Sequence, residues 1–366
     1  MNGSIDHRPD RPRPWRARYS APGGRQVSKS WKTKVEAQRW LREEISRIDR
    51  GSWVDPAGGA MLYGEYAELW LAGKLNIKEK TRHWYNGILR SRLIPAFGRY
   101  QIRHLGAPTI RSWVSDLVEE GLSAARIRHL HQVLRTSLQQ AVKDGLLTRN
   151  PADGIDLPTE RHREMQFLDA GQLHELARYA EGMRSGQGTM IIFLGYSGLR
   201  WSELVALRYR SVDLLNRRIH VTEAATDVGG RLVFDSPKSH RRRTVVLPRS
   251  VAHLIEDRLE SASPDKLVFT APEGGPLRSS NYRQKIWVPS VASLAVDHPH
   301  LRGLRIHDLR HSAASMAISC GANIKVIQRM LGHRHASMTL DRYGHLYTED
   351  LEDVADRLDV VFRGAA

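Results

Sequence analysis

A chain of 366 residues, 41% of them hydrophobic, is long enough for two or three domains with separate cores. Its 56 Lys and Arg against 40 Asp and Glu give a formal charge of +16, which favours nucleic acid as partner over an anionic membrane, since no single amphipathic helix collects the charge. The chain has one cysteine, no signal-peptide pattern and no apolar run of about 20 residues, which argues against disulfides, a Cys-based metal site and a membrane span and predicts a cytosolic protein. Cys320 itself is predicted to be a small core residue.

The N-terminal stretch predicts a small basic module. Residues up to about Pro14 are rich in proline and arginine and are expected to be disordered. The sequence 15–31 alternates around APGG and predicts a β-hairpin, and Thr33 with Glu36 forms a capping box that starts a helix. The alternative is a basic sheet face that is merely solvated. The predicted DNA contacts are three residues of the hairpin: Arg16, Arg18 and Lys29.

The second unit is predicted to be a bundle of four or more helices. It follows a linker rich in Gly and Pro at 51–60, and its helical apolar patterns stop at breakers such as Pro95, Gly121 and Gly145. The last helix has no acidic residue between Ser123 and Gln140, which favours contact with a phosphate backbone over an ordinary solvated face. Its predicted DNA contacts recur at helical spacing: Arg128, His131 and Arg135.

The third unit, after a linker rich in Pro and charge at 150–164, mixes helices and strands. Asp169 and Gln172 are expected to cap a helix, and another helix is expected at 251–260. The final stretch, 306–346, contains two helical patterns that stop at glycine. Alternation typical of strands occurs in three segments: 218–221, 231–234 and 243–247.

Six residues of the third unit have the chemistry needed to break and rejoin a phosphodiester: Arg200, Lys238, His307, Arg310, His333 and Tyr343. Two arginines can hold the phosphate oxygens, and a histidine can add a donor in the transition state. A tyrosine, with a free pKa of about 10, needs a base, for which His307 is the candidate. Lys238, expected on a tight turn between two strands, can protonate the departing 5′ oxygen. The cationic side chains make a metal unnecessary.

Each of these residues taken alone also has a structural interpretation. Tyrosines often pack at helix surfaces, and lysines on turns are often only solvated. The histidine pairs 307/311 and 333/335 are open to interpretation as zinc ligands, although Arg310 lies between two of them and its charge would oppose a dication.

Five motifs in this unit resemble those of the tyrosine recombinases, and most closely the integrases of phages and mobile elements. They are SGLRWSEL (197–204), SPKSHRRRTVVLP (236–248), HDLRHSAAS (307–315), LGH (331–333) and TLDRYGHL (339–346). The resemblance implies that Arg200 and Arg310 are the conserved arginines, Lys238 the hairpin lysine, and Tyr343 the nucleophile. It gives His307 and His333 the two histidine positions, with Glu203 and His311 in support. Tyr347, four residues after Tyr343, lacks the expected sequence context.

The resemblance covers the third unit motif by motif and the first two only in kind. It implies a multidomain protein, mainly α with small β-sheets. Its domains would be an arm-type DNA-binding module of β-hairpin or sheet plus helix at 1–56, a helical core-binding domain at 57–158, and an α+β catalytic domain with a C-terminal tail at 159–366.

The implied reaction is strand exchange through a 3′-phosphotyrosyl bond, without a cofactor, in the cytoplasm of a bacterial host. The implied partners are double-stranded DNA with core-type and arm-type sites, three further copies in a tetramer, a host DNA-bending protein and a directionality factor. Packing of the tail on a neighbouring copy and packing on its own domain stay equally open.

Two other functions remain as alternatives. A type IB topoisomerase-like nicking and closing enzyme shares the chemistry but does not need a separate basic module. A DNA-binding regulator with a degenerate catalytic fold would lack catalytic residues, and this sequence has all six.

Overall fold

The structure is a computed structural model that describes residues 3–22, 24–51, 53, 55, 58–160, 164–237, 242–256, 263–347 and 351–365. The chain divides into two compact units, Met1–His162 and Arg163–Ala366. Within the described ranges, no helix is both long enough and apolar enough to span a bilayer. Lys238 lies outside the described residues, as do positions 257–260 of the expected helix.

The first unit begins with an antiparallel sheet of strand order β1-β2-β3, against which one helix packs. These elements are β1 Gly3–His7, β2 Trp15–Ser20, β3 Gln26–Trp31 and α1 Lys34–Asp49. The expected hairpin is confirmed as β2 and β3, and Thr33 and Glu36 form the predicted capping box at the start of α1. Ala17 and Tyr19 face the core beneath the sheet because side chains alternate along β2.

The expectation of disorder before Pro14 is wrong for the described residues. β1 pairs along its whole length with β2, and the N–H of Arg8 donates to the carbonyl of Pro14 at 2.7 Å, which closes the loop between the strands. Ile5 packs against the apolar cluster under the sheet. The segment is ordered because a third strand satisfies backbone groups along one edge of the hairpin and adds an apolar contact.

The rest of the first unit is a helical bundle with its own apolar core. Its helices are α2 Tyr63–Ala72, α3 Glu79–Ile88, α4 Ile94–Phe97, α5 Ala107–Glu119 and α6 Ala124–Lys143. The expected stop at Pro95 is wrong, because a π-helical turn, Leu89–Leu93, joins α3 to α4 and the helix continues past the proline. The wider turn accommodates a residue that has no N–H to donate.

The second unit combines helices with two small antiparallel sheets, of order β4-β5-β8 and β6-β7. Its strands are β4 Val212–Asp213, β5 Arg218–Val221, β6 Ala224–Val228, β7 Arg231–Asp235 and β8 Arg243–Val246. Its helices are α7 Ala170–Met183, α8 Gln187–Ser197, α9 Trp201–Val205, α10 Arg249–His253, α11 Ser279–Tyr282, α12 Val288–Asp297, α13 Asp308–Ser319, α14 Ile324–Leu331, α15 Ser337–Tyr343 and α16 Leu351–Ala365. The capping box of Asp169 and Gln172 and the three predicted strands are confirmed, whereas β4 and β6 were not expected.

Helix α8 forms the centre of this unit. It is buried on nearly all sides and packs against α7 and α13, so that its end at Gly198 is held firmly in the core. α12 follows a second π-helical turn, Arg283–Trp287, that precedes Pro289, as at Pro95. Cys320 is exposed at the end of α13, so its predicted place in the core is wrong.

Candidate active site

The turn between α8 and α9 positions Arg200. Gly198 has a φ of 63°, which favours glycine and turns the chain sharply enough for Arg200 to become the N-cap of α9. The Arg200 N–H donates to Glu203 Oε2 at 2.9 Å and its Nη1 donates to Oε1 at 2.8 Å. Arg200 is thereby fixed by a carboxylate three residues away, while 22% of its side chain stays exposed.

Glu203 is shared by two arginines. Arg243 Nη1 and Nη2 donate to its two oxygens at 2.8 and 2.7 Å, in addition to the bonds from Arg200. Burial by itself would raise the pKa of Glu203, but the hydrogen bonds and charges of Arg243 and Arg200 lower it to about 2. The carboxylate is therefore ionised at any working pH.

Arg310 lies in the first turn of α13 and is 3% exposed. Its Nη1 donates to the carbonyl of Gly198 at 2.6 Å, and its Nη2 donates to the carbonyl of Leu331. Burial, together with repulsion from Arg200 and Arg243, lowers its pKa to about 9. Three guanidinium groups around one carboxylate leave an excess of buried positive charge, which a bound anion would stabilise.

His333 follows the left-handed turn that ends α14. Gly332 has a φ of 66°, and the ring that comes next is 6% exposed with Nδ1 2.9 Å from the hydroxyl of Thr339. Burial and the charges of Arg310 and Arg200 lower the pKa of His333 to about 4. The ring is neutral at physiological pH, and when Thr339 donates to Nδ1 the proton on Nε2 is free to be donated.

Tyr343 ends α15 with its side chain fully buried. Its hydroxyl lies 2.7 Å from Nδ1 of His311, whose pKa is lowered to about 4 by burial and by the neighbouring His307. Burial raises the pKa of Tyr343, while the charges of Arg310 and Arg342 lower it. A neutral imidazole is thus in contact with the phenol.

His307 is the more exposed of the two histidines of this motif. Its ring stands at 89° to that of His311, with centroids 5.1 Å apart. Partial desolvation and the charges of Arg310 and Arg200 lower its pKa to about 4. The sequence suggested His307 as the base, but the imidazole that contacts the phenol belongs to His311.

The second phenol has a different environment. The hydroxyl of Tyr347 donates to the carbonyl of Ala322 at 3.1 Å, and its ring packs on the apolar cluster around α14. Burial raises its pKa without an opposing cation.

The segment that contains Lys238 connects two sheets. β7 pairs with β6, whereas β8 pairs with β5, so the two strands that flank Lys238 in sequence belong to different sheets. Lys238 itself lies outside the described residues.

Arg243 is the functional candidate that the sequence did not single out. It stands in a run of three arginines, 241–243, which looks like a solvated basic turn. The alternation of β8 was the available signal, because Val245 and Leu247 are buried and Arg243, two and four residues before them, lies on the same face.

In the N-terminal sheet, strand register separates the three predicted DNA contacts. Arg16 and Arg18 lie on the face opposite the buried Ala17, whereas Lys29 is paired with Ala17 and lies on the helix side, with its Nζ 4.5 Å from the ring of Trp31. Arg16 and Arg18 therefore share one face, and Lys29 does not.

On α6, the three predicted contacts all bind the segment that follows the helix. Arg128 donates to the carbonyls of Pro158 and Leu157 at 2.9 and 3.3 Å, and Arg135 pairs with Asp153 at 2.7 Å. The ring of His131 is 5% exposed and lies 3.0 Å from the carbonyl of Ala152, and burial lowers its pKa. Their spacing is accounted for by this intramolecular role.

Two family models match the chain: the phage integrase family over residues 166–350, and the N-terminal SAM-like domain of phage integrases over residues 62–118. A putative prophage phiRv2 integrase of Mycobacterium tuberculosis is 30% identical over 347 residues, which cover 90% of this chain and 88% of that protein. The Tn1549 transposon integrase, solved in complex with transposon right end DNA, matches with a TM-score of 0.69 and 22% identity over 82% of this chain and 100% of that one. A lambda integrase tetramer bound to a Holliday junction matches with a TM-score of 0.55 and 14% identity over 88% of this chain and 91% of that one. At these identities the two solved structures establish the fold alone.

Proposed function

The chain belongs to the phage integrase family and is a tyrosine-type site-specific DNA recombinase, and from this premise we propose that Tyr343 cleaves DNA by forming a 3′-phosphotyrosyl bond. The observation that carries the proposal is the 2.7 Å contact between the Tyr343 hydroxyl and His311. A phenol becomes a nucleophile when a base accepts its proton, and His311 is a neutral imidazole already in contact with it. Tyr347 donates its hydroxyl to a backbone carbonyl.

The proposed phosphate site is formed by Arg200, Arg310 and His333. Arg200 uses Nη1 for Glu203 and makes no other side-chain hydrogen bond to a described residue, so it can donate to a phosphate oxygen. His333 adds a donor as charge builds on the non-bridging oxygens. The excess positive charge of the arginine cluster favours the arrival of the phosphodiester and the charge of the transition state.

In the proposed cleavage step, the Tyr343 oxygen attacks phosphorus and the bond from phosphorus to the 5′ oxygen breaks. The phenolic proton passes to His311, and the 5′ oxygen takes a proton from Lys238. The negative phosphate raises the proton affinity of His311, which is low in the free protein because the ring is buried and close to His307. His307, exposed beside the arginines, is proposed as a further donor to the phosphate.

The test is covalent adduct formation on a nicked duplex that carries the junction sequence read from the DNA flanking the gene. In EDTA the wild type should form a protein–DNA adduct, Tyr343→Phe should form none, and Tyr347→Phe, the matched control, should retain it. An adduct that persists in Tyr343→Phe and disappears in Tyr347→Phe would overturn the assignment.

The proposed division of labour follows the three domains expected from the sequence: arm-type DNA for 1–56, core-type DNA for 57–158 and catalysis for 159–366. The outer face of the N-terminal sheet, with Arg16 and Arg18, is proposed as the arm-type contact. The proposed core-type contact is α6 with Arg128 and Arg135, and His131 is left out of it because its ring is buried. The activity would take place on DNA in the bacterial cytoplasm, with a host DNA-bending protein and a directionality factor as partners.

We further propose that four copies assemble on DNA and that α16 takes part. Its residues Leu358, Val361 and Phe362 are 64%, 68% and 73% exposed and lie on one face of the helix. This apolar face is suited to packing on a neighbouring copy. Val361→Asp should prevent tetramers on a synthetic Holliday junction, measured by light scattering, whereas Asp356→Asn on the opposite face should not; tetramers that persist in Val361→Asp would contradict the role of α16.

A further inference from the structure

Arg243 joins three parts of the second unit. It begins β8, and its side chain is 7% exposed. The two Nη atoms bind both oxygens of Glu203 in α9, and Nε donates to the carbonyl of Met330 in the last turn of α14 at 3.1 Å. All three nitrogen atoms of the guanidinium group are therefore bound to protein.

The link to Glu203 determines how Arg200 can be used. Arg243 occupies the carboxylate in a bidentate pair, while the side chain of Arg200 contacts only one of its oxygens. Without Arg243, the carboxylate would be free to form a bidentate pair with Arg200 and neutralise it. Arg243 thus keeps the guanidinium group of Arg200 available to bind a phosphate.

The hydrogen bond to the carbonyl of Met330 affects the position of His333. The carbonyl of Met330 accepts from Arg243 and the next carbonyl, of Leu331, accepts from Arg310, immediately before the turn at Gly332. A Cβ on Gly332 would lie 2.7 Å from Cδ of Arg243, so the arginine is packed closely against this turn. The side chain of Arg243 therefore contacts both Glu203, which binds Arg200, and the turn that precedes His333.

We propose that Arg243 is a positioning residue of the recombination reaction. Through Glu203 and the carbonyl of Met330 it holds the side chains of Arg200 and His333 in the positions from which both contact the scissile phosphate. This inference rests on the proposed roles of Arg200 and His333 in phosphate binding. In this role Arg243 acts through other residues, because its guanidinium nitrogens are already bound to protein. Lysine cannot replace it, because a single ammonium group cannot hold a carboxylate in the bidentate geometry and also reach the carbonyl of Met330.

The test compares two substrates in the same preparation of full-length Arg243→Lys. Both are the nicked duplex with the flanking junction sequence, one with a natural scissile phosphate and one with a methylphosphonate, which has no charge for the arginines to neutralise. Single-turnover adduct formation should fall roughly 100-fold on the phosphate and much less on the methylphosphonate. The ratio of the two rates does not depend on the folded fraction, so a purely structural role would leave it unchanged.

Arg242→Lys, at the exposed adjacent position, is the matched control and should keep the wild-type ratio. Glu203→Gln, which weakens the same link in an isosteric side chain, should shift the ratio in the same direction even if Arg243→Lys folds poorly. Equal losses on both substrates in these two variants, or no loss on either, would overturn the role of Arg243. A wild type that forms no adduct at all would remove the proposed function instead, so the two failures can be told apart.

Discussion

The arginines of the second unit and those of the N-terminal sheet have the same charge but are held in opposite ways. Arg310 is 3% exposed and bonded to two backbone carbonyls, and Arg243 is bonded to a carboxylate and a carbonyl. Arg18, by contrast, has 40% of its side chain exposed on an outer sheet face and donates to the hydroxyl of Ser4. Arginines held in place by the protein can stabilise a transition state, because their donors need no rearrangement during the reaction. Exposed arginines can instead bind the phosphate backbone of a duplex at the protein surface.

The largest effect should come from Arg310→Lys, which tests the buried cluster. Lysine cannot bind the carbonyls of Gly198 and Leu331 at the same time, so the proposed phosphate site should lose its geometry. Single-turnover cleavage should then fall roughly 1,000-fold. Affinity for the duplex, measured by fluorescence anisotropy, should change only a few-fold. Arg329→Lys, exposed on α14, is the control. An affinity loss as large as the loss in cleavage would make Arg310 a binding residue like those of the sheet.

His311→Phe should reduce cleavage by about 100-fold, the lower range for loss of a general base. The rate of this variant should rise with pH as Tyr343 ionises on its own, because burial keeps the pKa of the phenol raised. His307→Phe should show no such pH dependence, since His307 does not accept the phenolic proton in this scheme. If the two variants exchange these pH profiles, His307 is the base.

The double variant Arg16→Ala/Arg18→Ala tests the exposed arginines on the outer face of the N-terminal sheet. Loss of two phosphate contacts should reduce the slope of log Kd against log salt by about 1.8, with roughly tenfold weaker binding to flanking duplex DNA. Cleavage of the nicked core duplex should not change. Lys29→Ala, on the other face of the sheet, should leave the slope almost unaltered; a loss equal to that of the double variant would contradict the assignment of the outer face.

The last prediction concerns how the stability of the fold depends on pH. The buried rings of His311 and His333 have pKa values of about 4 in the folded protein, against about 6.5 when unfolded. Their contribution to the free energy of unfolding is complete above a pH of about 6.5. It is lost as the pH falls through about 4, because between these two pH values only the unfolded state takes up protons. The slope of unfolding free energy against pH, from denaturant titrations, should be smaller in His311→Phe. An unchanged slope would mean that the ring is not held neutral.

Local features of the fold were predictable because they depend on neighbours in sequence. The capping boxes of Thr33–Glu36 and Asp169–Gln172 and the helix end at Gly332 each involve residues within about one helical turn. The hairpin at 15–31 has the same local origin. The π-helical turn before Pro95 was not predictable in this way, since proline usually ends a helix and its accommodation depends on the packing of the whole bundle.

Polar residues were harder to interpret than apolar ones. The absence of acidic residues along α6 suggested an outward-facing basic stripe, but the partners of Arg128, His131 and Arg135 are carbonyls and a carboxylate of the segment after the helix. A basic side chain has the same appearance in a sequence whether it binds DNA or its own chain. Only the position of its partner distinguishes the two.

By itself the sequence predicted the candidate reactive groups of this recombinase and their order along the chain, because chemistry depends on residue type and the motifs fix their local spacing. The tertiary structure decided which groups meet: it brought His311 to Tyr343 across 32 positions and Arg243 to Glu203 across 40. Such contacts follow from how α13, α15, β8 and α9 pack around α8, and packing over those distances is set by burial of the whole core rather than by any local pattern.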